Sequence, residues 1–240
     1  MDTHVAVRLL ALNREFYQTF SADFAQTRER LQPGVVRIAR DVTRAARLLD
    51  LGCGGGQLAT HLLAEKAPRL FLGLDLSLRL LHHARSGIRP EAGHARFACV
   101  DLSAGALPLG SAARFDWAFL FAVLHHLPGT ELRLRVCQEA RRRLVPGGRL
   151  GLSNWQFSRS ERLRRRIVPW AEIGLVEDEV DPGDALLDWR RGGRGVRYVH
   201  QLEEPERRLL CREAGFREIE SFASDGEGGD LSDYAVWEAI

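Results

Sequence analysis

The sequence predicts an α/β fold: a doubly wound, mostly parallel sheet of seven strands, the last of them antiparallel, in a single domain over residues 1–240. Three observations predict it. Short apolar runs alternate with segments of helical period from Arg47 to Asn154, as βαβ units stacked in one sheet require. A glycine turn, Gly52-Cys53-Gly54-Gly55-Gly56, follows the first run, where a buried strand passes into a helix. Carboxylates, Asp50, Asp75 and Asp101, stand at the ends of three successive runs. A chain of 240 residues can bury one substantial core of this kind.

The elements follow in order. From Asp2 to Arg30, Val5, Leu9, Leu12, Phe16, Phe20 and Phe24 recur every three or four positions, the period of one helix face, and Pro33-Gly34 ends the stretch. Residues 1–34 are therefore expected to form a helical lid. Strands are expected at Arg47–Leu51, Leu70–Leu74, Ala95–Val100, Phe115–Phe121 and Arg149–Asn154, with helices over Gly56–Glu65, Leu76–Arg85 and Thr130–Leu144. In the last helix Leu132, Val136, Ala140 and Leu144 share a face, and Pro146-Gly147-Gly148 turns it into the next strand. The rhythm then breaks. Residues 155–200 hold tryptophans, arginine runs and glycines with weak periodicity, as an insertion packed over the strand ends on the substrate side would. A helix over Pro205–Ala214 and strands over Phe216–Phe222 and Asp233–Ile240 complete the sheet, and the acidic Asp225–Asp230 reads as an exposed loop.

Composition narrows the function classes. Hydrophobic residues make up 45% and charged residues 28%, which is ordinary for a soluble globular protein, and no apolar run approaches the roughly 20 residues of a membrane span. Met1 to Arg14 lacks the continuous apolar core of a secretory signal, so the expectation is a cytoplasmic protein without a membrane partner. Cys53, Cys99, Cys137 and Cys211 lie far apart with no CxxC pair, so neither zinc nor a disulfide is expected. A net charge of +2 is too small to imply a nucleic acid by itself. Lys66 is the only lysine among 34 basic residues. An arginine set suits bidentate phosphate recognition, and it equally follows from a compositional bias toward Arg, Ala, Leu and Gly.

Spacing around the glycine turn narrows the ligand. Bare backbone and a helix N-terminus meet there, so a ligand can approach closely. The dinucleotide pattern needs a third glycine or alanine where this chain has Gln57, and no Gly-Lys-Ser/Thr follows, so the pyrophosphate-binding forms fit poorly. Ligands of open α/β sheets bind outside the C-terminal strand ends, near the switch in strand order. Asp75 can accept hydrogen bonds there from two ribose hydroxyls. Asp101 can accept from a ligand amino group while Leu102 supplies backbone and apolar contact, and Asp50 can orient the loop or face a cationic group. Each aspartate alone also reads as a helix cap or loop residue. Three behind one glycine turn read as a site.

The pattern acid-x-Gly-x-Gly-x-Gly over Asp50–Gly56, with Asp75 and Asp101 downstream, resembles the class I S-adenosylmethionine (SAM) methyltransferases from Arg47 to Asn154. The resemblance implies a Rossmann-like sheet, SAM as cofactor and enzymatic methyl transfer. It also implies a cofactor site of Asp50, Gly52, Gly54, Gly56, Asp75, Leu76, Asp101, Leu102 and Phe121. The lid would add Tyr17 and Arg28, with Arg28 meeting the methionine carboxylate. Phe121-Ala122-Val123-Leu124-His125-His126 follows the fourth strand, where such enzymes place residues beside the transferred methyl, and this nominates His126. Adjacent histidines point in different directions, so no shared metal is expected, and one structural and one solvent-facing histidine is the plainer alternative. Trp155 either stacks on a planar acceptor or packs in the core.

A second resemblance is to the methyltransferases that esterify a carboxymethyl group on the wobble uridine of tRNA. It rests on Phe24-Ala25-Gln26-Thr27-Arg28, Gly183-Asp184-Ala185-Leu186-Leu187-Asp188-Trp189 and Arg197-Tyr198-Val199-His200-Gln201-Leu202. The chain departs from that pattern at Asp188, where the family has proline, at Glu203-Glu204-Pro205-Glu206 and at Tyr234-Ala235-Val236-Trp237. A carboxylate acceptor is already ionised near neutral pH and needs positioning rather than a general base. An arginine fork suits that task, so Arg197, with Tyr198 or His200 beside it, is the candidate anion holder. Strand alternation puts Arg197 and Val199 on one face and Tyr198 and His200 on the other, so a regular strand does not aim all three at one substrate. A solvated edge strand is the plain alternative. Arg141–Arg143 and Arg162–Arg166 either track phosphates or form solvated helix faces. Two readings stand beside tRNA: methylation of a small metabolite or natural product with His125 or His126 as base, and a non-catalytic SAM-binding protein that itself acts as a partner or activator; a small partner protein is a further expected partner.

Overall fold

Helices and strands of the main layer alternate as α1 (Thr3–Thr19), α2 (Pro33–Arg40), β1 (Arg47–Leu51), α3 (Gln57–Lys66), β2 (Leu70–Asp75), α4 (Leu78–Ser86), β3 (Ala95–Cys99), β4 (Phe115–Phe121), α5 (Thr130–Arg143) and β5 (Leu144–Trp155). After these come the one-turn α6 (Glu161–Arg164), β6 (Ile167–Val168), β7 (Asp184–Trp189), β8 (Gly195–His200), α7 (Glu204–Glu213), β9 (Phe216–Ser224) and β10 (Ser232–Ala239). The computed structural model describes residues 1–20, 30–88 and 94–240.

The seven-stranded sheet runs β3-β2-β1-β4-β5-β10-β9, with β10 antiparallel between β5 and β9. β1 lies at its centre, paired with β2 and β4. A central parallel strand is covered on both faces and therefore reads as an almost continuous apolar run. In β1, Leu48 packs with Ile38, Leu62 and Phe119 on one side. Leu49 and Leu51 pack with Leu120, Val136 and Leu152 on the other.

Three expectations are corrected. Pro33 opens α2 rather than closing the helix before it: its missing N–H falls in the first turn, where a helix has no carbonyl to receive one. β5 begins at Leu144, paired with Phe115, and takes in Pro146-Gly147-Gly148 through a register shift between Phe115 and Trp117. Asp225 is buried rather than exposed. Its carboxylate accepts from the Gly34 N–H at 3.2 Å and the Tyr234 hydroxyl at 2.7 Å, tying α2 to β10. The remainder of the expected lid helix, residues 21–29, lies outside the described residues.

Residues 155–200 carry a second sheet, β6-β7-β8, antiparallel throughout. Both faces are covered. Leu186 and Tyr198 pack on Val5 and Leu9 of α1, whereas Ala185, Leu187 and Val199 pack on Phe157 and Leu163. The small sheet thus stands over the main one with α1 across it.

Candidate active site

The chain crosses from β3 back over β1 to β4, so the switch in strand order lies between β1 and β4, and there a cavity of about 620 Å³ opens. Its lining divides into an acidic end, a centre and an arginine end.

At the acidic end, the turn after β1 is pinned to β2. The N–H groups of Gly52 and Cys53 donate to the Leu74 carbonyl at 2.7 and 3.0 Å. The Gly54 N–H donates to Asp75 Oδ2 at 2.9 Å, and the Ser77 N–H donates to Asp75 Oδ1 at 2.8 Å. A carboxylate has about four acceptor positions, so Asp75 holds the loop with two and keeps two for a diol. Gly54 has φ of +53° and no atom within 4 Å of where a Cβ would stand, which leaves its backbone bare to the cavity. At Gly52, φ is +81° and a Cβ would fall 2.4 Å from Val123 Cγ2, so only glycine fits.

Asp50 is 4% exposed, and burial followed by the neighbouring Asp75 charge pushes its carboxyl up to about 8. Near neutral pH it is mostly protonated, and faces the cavity as a polar group rather than a full negative charge. Asp101 behaves oppositely. Burial would raise its carboxyl, yet hydrogen bonds from the Ser103 hydroxyl and N–H and the charge of Arg14 outweigh burial and hold it below the usual carboxylate range. Arg14 reaches Asp101 Oδ2 at 2.5 Å. This link across the cavity was not anticipated, although the signal exists: Leu10, Asn13, Arg14 and Tyr17 recur at helical spacing beside the apolar face of α1, and all four line the cavity.

Leu76, Leu102 and Phe121 also line the cavity, and Phe121 stacks on Phe119 with ring centroids 5.4 Å apart. In the centre, the Tyr17 hydroxyl lies 2.7 Å from His126 Nε2, and His126 Nδ1 lies 3.3 Å from the Tyr198 carbonyl. A carbonyl only accepts, so Nδ1 donates to Tyr198, and Nε2 faces the Tyr17 hydroxyl. His125 is fully buried behind it and accepts from the Trp155 N–H at 3.3 Å.

The arginine end is built by the insertion. Arg162, Arg166, Arg191 and Arg197 line it together with Trp155 and Trp189. Arg197 is 6% exposed, with its guanidinium carbon 5.4, 5.0 and 5.7 Å from the ring centroids of Phe16, Trp155 and Trp189. β8 is the edge of the small sheet, yet it is buried rather than solvated. Cation–π contact on three sides fixes the orientation of the guanidinium. Phe16 stood out in the sequence only as part of a helix face, Trp189 only within the second resemblance and Arg191 not at all, because a cage assembled around β8 from α1, β5 and β7 has no local pattern.

Three candidates, His200, Tyr198 and Gly56, do not reach the cavity, and a fourth cannot be placed. His200 sits behind β8 with Nδ1 2.7 Å from Asp184 and Nε2 2.8 Å from Glu206, so both ring nitrogens are engaged inside the protein. Tyr198 likewise turns away, its hydroxyl donating to Asp184 at 2.7 Å. Gly56 caps α3 with φ of +79°, and a Cβ there would stand 2.7 Å from Ala84 Cβ, so its role is the packing of α3 on α4. Gly56→Ala is expected to lower stability by about 2 kcal/mol or more, as a shifted midpoint in urea will show. Arg28 lies outside the described residues. Among the described residues no helix is long and apolar enough to cross a membrane, and no group of three His, Cys, Asp or Glu side chains is placed to hold a metal ion.

A methyltransferase-domain profile matches residues 48–148. A protein of Encephalitozoon cuniculi named as a methyltransferase is 30% identical over 213 residues, 85% of this chain and 87% of its own. The tRNA (carboxymethyluridine(34)-5-O)-methyltransferase of Schizosaccharomyces pombe is 26% identical over 176 residues, 73% of this chain and 66% of its own length. A solved SAM-dependent methyltransferase structure from Methanosarcina mazei superposes with a TM-score of 0.69 at 22% identity, covering 88% of this chain and 98% of that one, which speaks for the shared fold. With the profile spanning the glycine turn and all three aspartates, and a relative at this identity extending over most of both chains, this chain belongs to the class I SAM-dependent methyltransferases.

Proposed function

We propose that the chain methylates an anionic acceptor, a carboxylate of the carboxymethyl kind carried on a tRNA wobble uridine, with the cofactor at the acidic end of the cavity and the acceptor at the arginine end. The division of the lining carries this reading: Asp75 and Asp101 at one pole, Arg162, Arg166, Arg191 and Arg197 at the other. The residues of the acidic pole fit SAM. Asp75 keeps acceptor capacity for a ribose diol, Asp101 and Leu102 border the place for adenine, and the bare backbone at Gly54 admits close approach. SAM when bound supplies a methyl group on a sulfonium, open to in-line attack.

The remaining work falls to the chain's own residues. Arg197 holds the acceptor carboxylate in a fork whose direction the aromatic cage fixes, and Trp155 and Trp189 exclude water around it. No proton needs to leave a carboxylate at neutral pH, so positioning supplies the catalysis. Arg162, Arg166 and Arg191, with no acidic partner among the described residues, suit the phosphates that flank a nucleotide. The fission yeast relative, named for methylation of a carboxymethyluridine, supports the same choice.

One observation favours a second reading. The Tyr17–His126 contact can take a proton from a hydroxyl, as a small-molecule acceptor would require. Labelled SAM incubated with total tRNA and with small-molecule extract separates the two. A methyl ester on RNA that mild alkali releases as volatile methanol is the expected product, with RNA affinity falling steeply as salt rises. Alkali-stable label in the small-molecule fraction, with a rate that titrates near neutrality, would establish the second reading instead.

A further inference from the structure

His200 is conspicuous because it is buried, charged by its surroundings and remote from the cavity. Both ring nitrogens meet carboxylates, Asp184 on β7 at 2.7 Å and Glu206 on α7 at 2.8 Å, and a carboxylate only accepts, so both nitrogens carry protons and the ring is an imidazolium. Glu206 also takes Arg133 of α5 at 2.8 Å and the Thr130 hydroxyl at 3.0 Å. Asp184 takes the Tyr198 hydroxyl and, on Oδ2, the Asp181 N–H at 3.0 Å, while Asp181 itself meets the Met1 ammonium at 2.8 Å. The ring thus bridges the small sheet to the helices of the main domain.

The strand that carries it also carries the site. Two residues earlier, the Tyr198 backbone exchanges hydrogen bonds with the Asn13 side chain, at 2.8 Å from its N–H and 3.1 Å to its carbonyl, and that carbonyl also receives His126 Nδ1. Arg197 is the next residue. We propose that the His200 imidazolium is a proton-dependent fastener of β8, a positioning residue that holds Arg197 and the Tyr198 carbonyl against the site without touching any reactant. The link to acceptor binding rests on the reading of Arg197 above; the fastening itself does not.

The direction with pH follows from the bonds. Burial alone would lower the imidazolium, yet the hydrogen bonds to Asp184 and then Glu206 outweigh it and raise it above its ordinary value. A raised histidine stabilises fully below its ordinary value of about 6.5 and loses its contribution as pH rises through the raised one. Hydrogen exchange on the full chain from about pH 6 to about pH 10, corrected for intrinsic rates, tests this without any acceptor. The expected result is a fall of about tenfold or more in protection of β7 and β8 amides relative to β1 and β4, with S-adenosylhomocysteine affinity unchanged. His200→Gln should remove the step, and Glu206→Gln, which keeps the histidine, should move it to lower pH. A flat profile in the native protein, a step that survives in His200→Gln, or a midpoint unmoved in Glu206→Gln would overturn the proposal.

Discussion

Replacing Asp75 by alanine is expected to weaken SAM and S-adenosylhomocysteine binding by about 100-fold or more. The carboxylate has two duties in one place. It holds the N–H groups of Gly54 and Ser77, at 2.9 and 2.8 Å, and it offers its remaining acceptor positions to a ligand diol. Hydrogen bonds to a charged group contribute about 1.5–3 kcal/mol each, so losing two ligand contacts and the loop anchor together exceeds 3 kcal/mol. Titration calorimetry reads this directly. Because Gly52 and Cys53 remain bonded to the Leu74 carbonyl, the variant keeps the turn, and its melting curve should stay cooperative. Asp75→Asn is expected to lose less, since an amide retains one acceptor oxygen for one of the two backbone donors.

Arg197→Ala is expected to lower kcat/KM for the acceptor by about 100- to 1,000-fold while S-adenosylhomocysteine affinity stays within about twofold, because a bidentate charge-assisted contact is removed from one pole of the cavity only. The aromatic cage makes a sharper distinction available. Arg197→Lys keeps the charge but loses the planar fork and the stacking on Phe16, Trp155 and Trp189, so activity should not return. Restoration by lysine would mean that charge alone suffices there, and the positioning role would fail. Cofactor affinity falling in parallel with acceptor turnover would assign Arg197 to the fold of the cavity instead.

The main sheet was legible because each of its strands repeats a local rule. β1 and β4 are covered on both faces and read as apolar runs, and the turn after β1 needs glycine at Gly52 for a backbone reason that no other residue meets. The cofactor pole was legible for the same reason, since Asp75 and Asp101 stand at fixed places after strands. The acceptor pole was not. β7 and β8 bury side chains on both faces in short strands, so their sequences show no alternation, and the cage around Arg197 draws on residues from three distant elements. His200 illustrates the limit well. Strand alternation correctly put it opposite Arg197, but the two carboxylates that occupy its ring, Asp184 and Glu206, come from separate elements whose meeting no spacing encodes.

A crystal structure of the protein grown with S-adenosylhomocysteine addresses the two-pole assignment without intermediaries. Ligand density with the ribose on Asp75, the adenine beside Asp101 and Leu102, and the space around Arg197 left for a second molecule is the predicted result. Density seated among Arg162, Arg191 and Arg197 instead, or its absence in crystals of well-folded protein that also gives no calorimetric heat with this ligand, would contradict it.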